Sequence, residues 1–371
     1  MSHAPWGGSE ELWAQAADCL LEKGHQVSIS INYSDGSQVA REKLSAHANA
    51  IKIWRPNQCS LPSRVTRRLF RIITRRQSSN AQSYTWHLPS QADLVVITSP
   101  GNRFPESLVN ELLVNSQKYA LVIQSVSETQ WPSDRELIPM ENAYTNAECA
   151  FFVSKANLDS TQCQIAYELK RSAIVTNPIK VCREHLFRWP KKSEITEIAF
   201  VGRLDPDHKG LDLLFRALAN PFWQHLPLRL NLYGEGASRL QLEKLAIYLN
   251  ISHLVAFRGS ESNVSLVWET NQLLVMPSRH EGMPLAVLEA LMSGRPCLVT
   301  DVSGNAEYID AGVNGFVATG PTVKCVGIAL QSAWQQRDSW QKMGENAYSM
   351  IRKAIPVDPV ETFTQCITKL V

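Results

Sequence analysis

One stretch decides the fold of this chain: Gln272-Leu273-Leu274-Val275-Met276-Pro277-Ser278-Arg279-His280-Glu281-Gly282-Met283-Pro284-Leu285-Ala286-Val287-Leu288-Glu289. The apolar run 272–277 is typical of a buried strand. Pro284 suits the first turn of a helix, where its missing N–H is no loss, and Gly294 supplies a C-terminal stop. The stretch therefore predicts a strand that leads directly into a helix.

Two acidic residues of this stretch, Glu281 and Glu289, stand eight positions apart. Glu281 lies at the strand-to-helix junction and Glu289 lies inside the helix. A helix start at the carboxyl edge of a sheet presents free N–H groups and a partial positive charge, which suit phosphate. Both carboxylates can accept hydrogen bonds from sugar hydroxyls, so the pattern predicts a site for a sugar attached to a diphosphate. The alternative is a buried strand and helix with two incidental glutamates.

The composition indicates a globular protein of two ordinary domains, with 371 residues, 44% of them apolar, and a formal net charge of +2. The sequence contains neither an apolar run of about 18 residues nor a secretory signal, so we expect a cytoplasmic protein. Its eight cysteines are scattered, which favours reduced thiols. Neither the cysteines nor the histidines have metal-ligand spacing, so we expect no metal site and no cofactor.

Short β-rich runs alternate with amphipathic helices, which is typical of parallel sheets built from βαβ units. The predicted strands are 25–31, 50–54, 93–97, 119–124, 149–153, 173–176, 197–201, 228–233, 254–257, 272–276, 296–300 and 316–318. A charged, proline-containing segment at 183–196 has the composition of a linker. We therefore predict an α/β fold with two doubly wound, Rossmann-like domains at 1–188 and 193–354. The helix 355–371 is expected to pack back on the first domain.

The start of the chain has the form of a glycine turn that feeds a helix. Gly7 and Gly8 precede Ser9, a good N-cap, and an apolar stripe from Leu12 to Leu21 follows. Such a turn normally follows a strand, yet only six residues precede it. Either the first strand is unusually short or it is missing from this sequence.

Two cations follow the predicted strand 197–201. Arg203 comes directly after the strand, and Lys209 stands between a polar loop and the next helix. Both would leave the same carboxyl edge of the sheet as Glu281, and in an open α/β sheet that edge faces the ligand crevice. Arginine binds a diphosphate through a two-pronged fork and lysine binds it as a point charge. The alternative is a solvated loop, because residues 205–208 are polar turn residues.

A glycine pair after another predicted strand partly matches a dinucleotide-binding pattern, in the run Tyr233-Gly234-Glu235-Gly236-Ala237-Ser238-Arg239. Arg239 stands where the pattern G-x-G-x-x-G has its third glycine, and G-x-G alone is weak support. We interpret the glycines as a tight turn that opens a helix near a nucleotide, and not as a nicotinamide-cofactor site.

An arginine-rich segment at 64–76 contains six arginines, with its apolar residues on one helical face. A basic amphipathic helix suits an anionic lipid surface, which predicts peripheral contact with the inner face of a membrane. Binding of a phosphorylated acceptor and a solvated helix over the core are the alternatives. The near-zero net charge and the lack of an aromatic stacking platform argue against nucleic acid.

Taken together, these features resemble glycosyltransferase family 4, whose members have the GT-B fold. The resemblance covers nearly the whole chain and is strongest from 197 to 318. The motifs that carry it are Gly7-Gly8, Gly202-Arg203, Lys209-Gly210, the E-x7-E pair Glu281 and Glu289, Gly304-Asn305-Ala306-Glu307 and Gly312-Val313-Asn314-Gly315-Phe316.

The resemblance implies that two Rossmann-like domains face each other across a cleft, with the acceptor on the N-terminal side and the nucleotide sugar on the C-terminal domain. It implies a retaining, hexosyltransferase-like transfer of a sugar from a nucleotide-diphosphate donor to a hydroxyl acceptor, without an essential metal. The acceptor would be a glycan, a lipid-linked molecule or a small molecule. The expected setting is polysaccharide, glycolipid or cell-envelope glycan synthesis.

The resemblance also implies how the diphosphate is held. Arg203 and Lys209 would stabilise the charge that grows on the leaving diphosphate. The backbone N–H groups of Leu285 and Ala286 would add donors at the helix start. The Gly7-Gly8 turn would approach the diphosphate from the first domain, where a Cβ would obstruct it.

Contacts to the sugars follow from the same resemblance. Glu281 would bind hydroxyls of the donor sugar, and Glu289 would bind the ribose hydroxyls. Many family members have a histidine after the strand that corresponds to 119–123, close to the transferred sugar, but Gln124 holds that place here. A glutamine can hydrogen-bond a sugar hydroxyl but cannot titrate, so Gln124 is a candidate sugar or acceptor contact and not an acid or base.

Three other functions are alternatives to transfer. In one helix, residues 281 and 289 would be separated by ~12 Å along the axis, whereas retaining glycosidases hold their carboxyls about 5–5.5 Å apart. Transfer therefore fits better than hydrolysis. An epimerase, or another sugar-nucleotide enzyme on this fold, is the second hypothesis. A catalytically silent protein that binds sugar nucleotides or membranes is the third.

Overall fold

The computed structural model describes residues 8–32, 51–54, 92–191 and 193–371, and these residues form two parallel α/β domains. The strands of the first domain are β1 (Ile29–Asn32), β2 (Ile51–Trp54), β3 (Val95–Ser99), β4 (Tyr119–Ile123), β5 (Cys149–Phe152) and β6 (Ser172–Ile174). Its helices are α1 (Gly8–Glu22), α2 (Glu106–Val114), α3 (Asp134–Asn146) and α4 (Lys155–Ile165).

The strands of the second domain are β7 (Thr196–Val201), β8 (Leu228–Tyr233), β9 (Val255–Gly259), β10 (Leu273–Met276), β11 (Cys297–Thr300) and β12 (Gly315–Ala318). Its helices, followed by the C-terminal helix, are α5 (Pro206–Lys209), α6 (Leu211–Leu218), α7 (Arg239–Tyr248), α8 (Val264–Thr270), α9 (Leu285–Met292), α10 (Val323–Gln335), α11 (Trp340–Ala354) and α12 (Pro359–Thr368). Each predicted strand has a counterpart, with ends that differ by at most a few residues.

The main sheet of the first domain is parallel, in the order β3-β4-β5-β6, and β1 pairs with β2 in a separate parallel sheet. Every residue of β4 is buried. Tyr119 and Leu121 pack with helices α2 and α3, whereas Ala120 and Val122 join the core that includes Leu12 of α1. Because successive strand residues point to opposite faces, this division shows that helices cover both faces of the sheet.

The second domain contains a parallel sheet of six strands, in the order β12-β11-β10-β7-β8-β9. From β7 the chain proceeds to β8 and β9 on one side, then crosses to β10, β11 and β12 on the other. The strand order therefore reverses between β7 and β10. In open α/β sheets, the crevice beyond the carboxyl ends of the strands at such a point is where ligands bind. The two domains confirm the predicted α/β fold.

The C-terminal helix α12 packs against the first domain. Phe363 lies edge-on to Phe151 of β5, with 5.3 Å between the ring centroids. At the surface, the ammonium of Lys23 lies 2.6 Å from the carboxylate of Glu361. The end of the chain is thus attached to the domain that contains its beginning.

Two predictions concern residues outside the described part of the chain. They are the first glycine of the Gly7-Gly8 turn, with any strand before it, and the arginine-rich segment 64–76. Among the residues that the structure describes, no helix is both long enough and apolar enough to cross a bilayer.

Candidate active site

A buried ion pair joins the loop after β7 to the loop after β10, at the switch point where the strand order of the second sheet reverses. Lys209 Nζ lies 2.6 Å from Glu281 Oε1, and the Ser278 hydroxyl donates to the same oxygen at 2.6 Å. The side chains of Lys209 and Glu281 are only 17% and 8% exposed. The bond to Glu281 uses one of the three N–H donors of the ammonium. A cation is therefore fixed at the crevice with further donor capacity for an anion.

A tight turn places Lys209 at this position. The predicted polar loop forms the single helical turn α5, which is capped by Asp205, whose carboxylate accepts from the His208 N–H at 3.4 Å. Gly210 then has a φ of +65°, a conformation that favours glycine. A Cβ at Gly210 would overlap the carbonyl oxygen of Pro277. The turn therefore rests on the end of β10, and Lys209 meets Glu281.

A second ion pair holds the same loop. The guanidinium of Arg279 donates to both carboxylate oxygens of Asp212, at 2.6 and 2.8 Å, and to the carbonyl of Pro206 at 2.6 Å. The hydrogen bonds to Asp212 raise the pKa of Arg279 above its ordinary value. Bidentate pairs of this kind fix orientation as well as distance. Sequence reasoning missed this pair, because its partners are 67 positions apart without a local pattern.

Arg203 follows β7 at the expected sheet edge but is not part of the buried pair. Its side chain is 43% exposed, and its guanidinium lies 3.8 Å from the carboxylate of Asp205. Among the described residues, Arg203 has no ion pair with Glu281. The structure therefore brings Lys209 and Glu281 together and leaves Arg203 at the more open rim of the crevice.

The start of α9 carries unpaired backbone donors. Pro284 occupies the N-cap, and within the described part of the chain the N–H groups of Leu285 and Ala286 make no hydrogen bond. A Cβ on Gly8 would overlap the side chain of Leu285. Gly8, the first residue of α1, therefore lies against Leu285 at this helix start.

Glu289 is buried inside α9, where it is 5% exposed. Its carboxylate accepts the backbone N–H of Lys180 at 3.1 Å. Burial raises the pKa of Glu289 to about 7, against the opposing effects of the Lys180 N–H and ammonium. The Lys180 ammonium lies 3.7 Å from Glu11 of α1. Glu289 thus contacts the segment that leaves the first sheet, a contact that the sequence did not indicate.

Replacing Glu289 with glutamine is expected to stabilise the protein progressively as the pH rises from 4.5 to about 7. An acid with a raised pKa binds its proton more tightly when folded, so the wild type loses stability across this interval and the amide does not. Across this interval, the free energy of unfolding of Glu289→Gln relative to that of the wild type is expected to rise by about 3 kcal/mol. Urea unfolding at about pH 5 and pH 8 measures it. The same difference in unfolding free energy at both pH values would contradict a raised pKa of Glu289.

Gln124 lies at the carboxyl end of β4 and is 8% exposed. Its side-chain oxygen accepts a hydrogen bond from the Asn177 amide at 2.9 Å, and its backbone N–H donates to Ser99 at 3.1 Å. Asn177 follows β6 and is 5% exposed.

The domains meet beside Glu281. A Cβ on Gly282 would overlap the backbone oxygen of Gln124 and lie 3.2 Å from Val153. A Cβ on Gly304 would lie 2.7 Å from Cβ of Ser154. These two glycines of the second domain therefore allow backbone to approach the carboxyl edge of the first sheet.

Hydrogen bonds at helix α4 join the domains at the same place. Glu307 accepts from the N–H groups of Lys155 and Ala156, at 2.9 and 3.4 Å. The N–H of Ser303 donates to Glu128 at 2.8 Å, and its hydroxyl donates to Asn157 at 2.6 Å. A carboxylate at a helix N-terminus is stabilised by the free N–H groups and the helix dipole. Glu307 of the second domain thus caps a helix of the first.

Replacing Gly282 with alanine is expected to separate the domains, because the added methyl would overlap the Gln124 carbonyl. Gly320 provides a matched control, since a Cβ there meets no atom within 4 Å. Small-angle X-ray scattering is expected to give a larger radius of gyration for Gly282→Ala than for Gly320→Ala. Equal radii of gyration for both variants and the wild type would show that the close approach of Gly282 to Gln124 does not keep the two domains together.

The glycines of the run 233–239 have a packing role. A Cβ on Gly234 would overlap the carbonyl oxygen of Gly202, and one on Gly236 would lie 2.5 Å from the carbonyl oxygen of Leu204. The turn after β8 therefore lies against the loop after β7, before α7 begins. This close packing accounts for both glycines without a dinucleotide.

Residues 183–350 match the family model of glycosyl transferases group 1. The chain is 32% identical over 161 residues to the D-inositol 3-phosphate glycosyltransferase of Corynebacterium kroppenstedtii, a match that covers 41% of this chain and 36% of that relative. It is 34% identical over 119 residues to the Vi polysaccharide biosynthesis protein VipC/TviE of Salmonella typhi, covering 32% of this chain and 20% of that relative. The chain spans 18% to 47% of the length of the first eight curated relatives it matches.

Among solved structures, the crystal structure of Anabaena HepE in complex with UDP superimposes with a TM-score of 0.70. The likeness covers 100% of this chain and 97% of HepE, at 14% sequence identity. At that identity the likeness shows the fold, which is GT-B. The fold and the group 1 match together support a glycosyltransferase of the GT-B class.

Proposed function

We propose that this chain is a retaining glycosyltransferase of family 4 that moves a sugar from a nucleotide-diphosphate donor to a hydroxyl acceptor. The buried pair of Lys209 and Glu281 at the switch-point crevice supports this proposal most strongly. A cation that is fixed beside a carboxylate can bind a phosphate and a sugar hydroxyl at adjacent points. The unpaired N–H groups of Leu285 and Ala286 add donors of the kind that bind phosphate at helix starts.

In the proposed reaction, the bond between the anomeric carbon and the diphosphate oxygen breaks, and its electron pair stays on the diphosphate. Lys209 and the helix-start N–H groups stabilise that growing charge, and Arg203 reaches it from the rim. The acceptor hydroxyl forms the new bond on the same face of the sugar, and its proton passes to the leaving phosphate oxygen. Configuration is therefore retained.

The remaining side chains hold the donor. Glu281 accepts hydrogen bonds from the transferred sugar, and Glu289 contacts the ribose. Gln124 contacts the sugar or the acceptor from the first domain. Because Lys209, Arg203 and the backbone donors supply positive charge, we infer that transfer requires no metal and no other cofactor.

The donor and setting are proposed from the relatives. The similar HepE structure contains UDP, which makes UDP-sugars the first donors to examine. One of the relatives acts on inositol phosphate by its name, and another serves polysaccharide biosynthesis. We therefore place the reaction in polysaccharide, glycolipid or cell-envelope glycan synthesis, on the cytoplasmic side of the membrane.

A ligand screen followed by a transfer assay tests the function. UDP-, GDP- and ADP-sugars are screened by thermal shift, since a ligand that binds only the folded state raises the apparent stability. The donor found is then incubated with hydroxyl acceptors, with and without EDTA, and we expect a glycosylated product in both cases. Interconversion of the sugar without transfer would instead indicate an epimerase. Binding of a nucleotide sugar without any reaction would indicate a catalytically silent protein that binds sugar nucleotides.

We also propose that the arginine-rich segment 64–76 attaches the enzyme to an anionic membrane. Sedimentation with vesicles that contain phosphatidylserine is expected at low salt and should weaken as salt screens the charges. Neutral phosphatidylcholine vesicles are the control. Failure to sediment with anionic vesicles at low salt would rule out this role.

A further inference from the structure

We propose that Gln124 and Asn177 form a neutral amide pair that selects the transferred sugar by binding one of its hydroxyl groups, with Asn177 as the positioning residue. This inference rests on the proposed function and specifies its substrate class. That class is a sugar with a free hydroxyl, and not a carboxylate or a hydrogen atom, at the contacted carbon.

The hydrogen-bond inventory of the pair supports this proposal. Asn177 donates to the side-chain oxygen of Gln124 at 2.9 Å. Gln124 Nε2 and Asn177 Oδ1 are both buried, and neither has a hydrogen-bond partner in the part of the chain that the structure describes. Exchanging oxygen and nitrogen in both amides would leave the same free groups, one NH2 and one carbonyl. The pair therefore always offers one donor and one acceptor.

The burial of these free groups requires an explanation. Asn177 is 5% exposed and Gln124 is 8% exposed. Buried polar atoms without a partner are rare, because their lost hydration is not replaced. A ligand that supplies both an acceptor and a donor would remove this penalty at both atoms at once.

The position of the pair indicates which ligand this is. Gln124 follows β4 and Asn177 follows β6, and β5 lies between these strands. Their side chains can meet only by reaching across the carboxyl end of β5. The backbone oxygen of Gln124 also lies against Gly282, the residue after Glu281. The amide pair is therefore on the wall of the first domain that faces the sugar side of the site.

The chemistry of the pair limits the substrate. A hydroxyl both donates and accepts, so it satisfies the free NH2 and the free carbonyl together. A hydrogen atom in its place satisfies neither group, and a carboxylate cannot donate. Neither amide titrates, so this selection does not depend on a proton at these side chains. Asn177 acts by fixing the orientation of the Gln124 amide.

Calorimetry with UDP, GDP and ADP, and with their glucose, galactose, mannose and N-acetylglucosamine conjugates, tests the proposal. The quantity measured is the gain in affinity of a conjugate over its bare diphosphate. We expect Asn177→Ala to reduce this gain by about ten- to a hundredfold and to leave the affinity for the bare diphosphate unchanged. Deoxy analogues of the accepted sugar should identify one hydroxyl whose removal weakens the wild type and not the variant.

Asn102 provides the matched control. It is also a buried asparagine of the first domain, 8% exposed, but its amide is satisfied by Gln164 at 2.7 Å and Thr161 at 3.2 Å. Asn102→Ala is expected to lower the stability of the protein without changing the gain in affinity of a sugar conjugate over its bare diphosphate. An unchanged gain in Asn177→Ala, or equal losses for conjugate and bare diphosphate, would overturn the inference while the proposed function stands. If the wild type binds no nucleoside diphosphate at all, the proposed function itself fails.

Discussion

Replacing Lys209 with alanine is expected to weaken nucleoside diphosphate binding by about ten- to a hundredfold and to lower turnover at least as much. The ammonium is fixed 2.6 Å from Glu281 and is mostly buried, so its attraction for a phosphate is weakly screened. Calorimetry with UDP, GDP and ADP measures the affinity, and the transfer assay measures kcat. Lys342, whose side chain is 73% exposed, provides a control lysine.

Loss of Lys209 also leaves Glu281 as a buried charge that, among the residues the structure describes, keeps only Ser278 as a hydrogen-bond partner. An unpaired buried charge is destabilising, which could lower affinity indirectly. The double variant Lys209→Ala with Glu281→Gln separates the two effects, because it removes both charges. If Lys209 binds phosphate, the double variant retains the loss of affinity. Unchanged affinity in the single variant would remove Lys209 from the phosphate site.

Replacing Glu281 with glutamine is expected to lower kcat by about 100- to 1000-fold while the affinity for the bare diphosphate changes only a fewfold. Glutamine has nearly the same shape and still accepts hydrogen bonds from Lys209 and Ser278. It lacks the negative charge that strengthens hydrogen bonds to the hydroxyls of the reacting sugar. The variant therefore tests the charge at this position and not the packing.

The same transfer assay and calorimetry distinguish the possible roles of Glu281. Glu243, which is 40% exposed and pairs with Arg239, provides a control for replacing a paired glutamate by glutamine. Equal, small effects of Glu281→Gln on turnover and on nucleotide binding would count against its role at the sugar. A loss confined to stability, measured by urea unfolding, would make it a structural residue.

The strands were predictable because their signal is local. Strands that are covered on both faces are nearly continuous apolar runs, such as 119–123 and 272–276. Short polar and glycine-containing segments separate them from the helices. These two signals were enough to predict the alternation of strands and helices. They were not enough to predict that 206–209 is a helical turn, because its residues are equally common in loops.

Part of the candidate site was predictable for a topological reason. Parallel strands end at one edge of a sheet, so residues that follow β7 and β10 lie near each other if those strands are neighbours. Lys209 and Glu281 were placed by this rule, and the structure adds the 2.6 Å contact between them. The rule does not give side-chain direction, and Arg203, which follows the same strand, has an exposed side chain.

The sequence by itself determined the order of strands and helices, the two α/β domains that they build, and the chemistry available at the carboxyl edge of each. Hydrophobic periodicity and turn residues carry this information, because they report burial and backbone conformation over a few residues. Only the tertiary structure decided that Gly282 meets Gln124, that Glu307 caps α4, and that Asn177 holds the Gln124 amide. Those contacts join residues 53 to 158 positions apart across a sheet edge or between domains, and packing brings such residues together without any periodic trace in the chain.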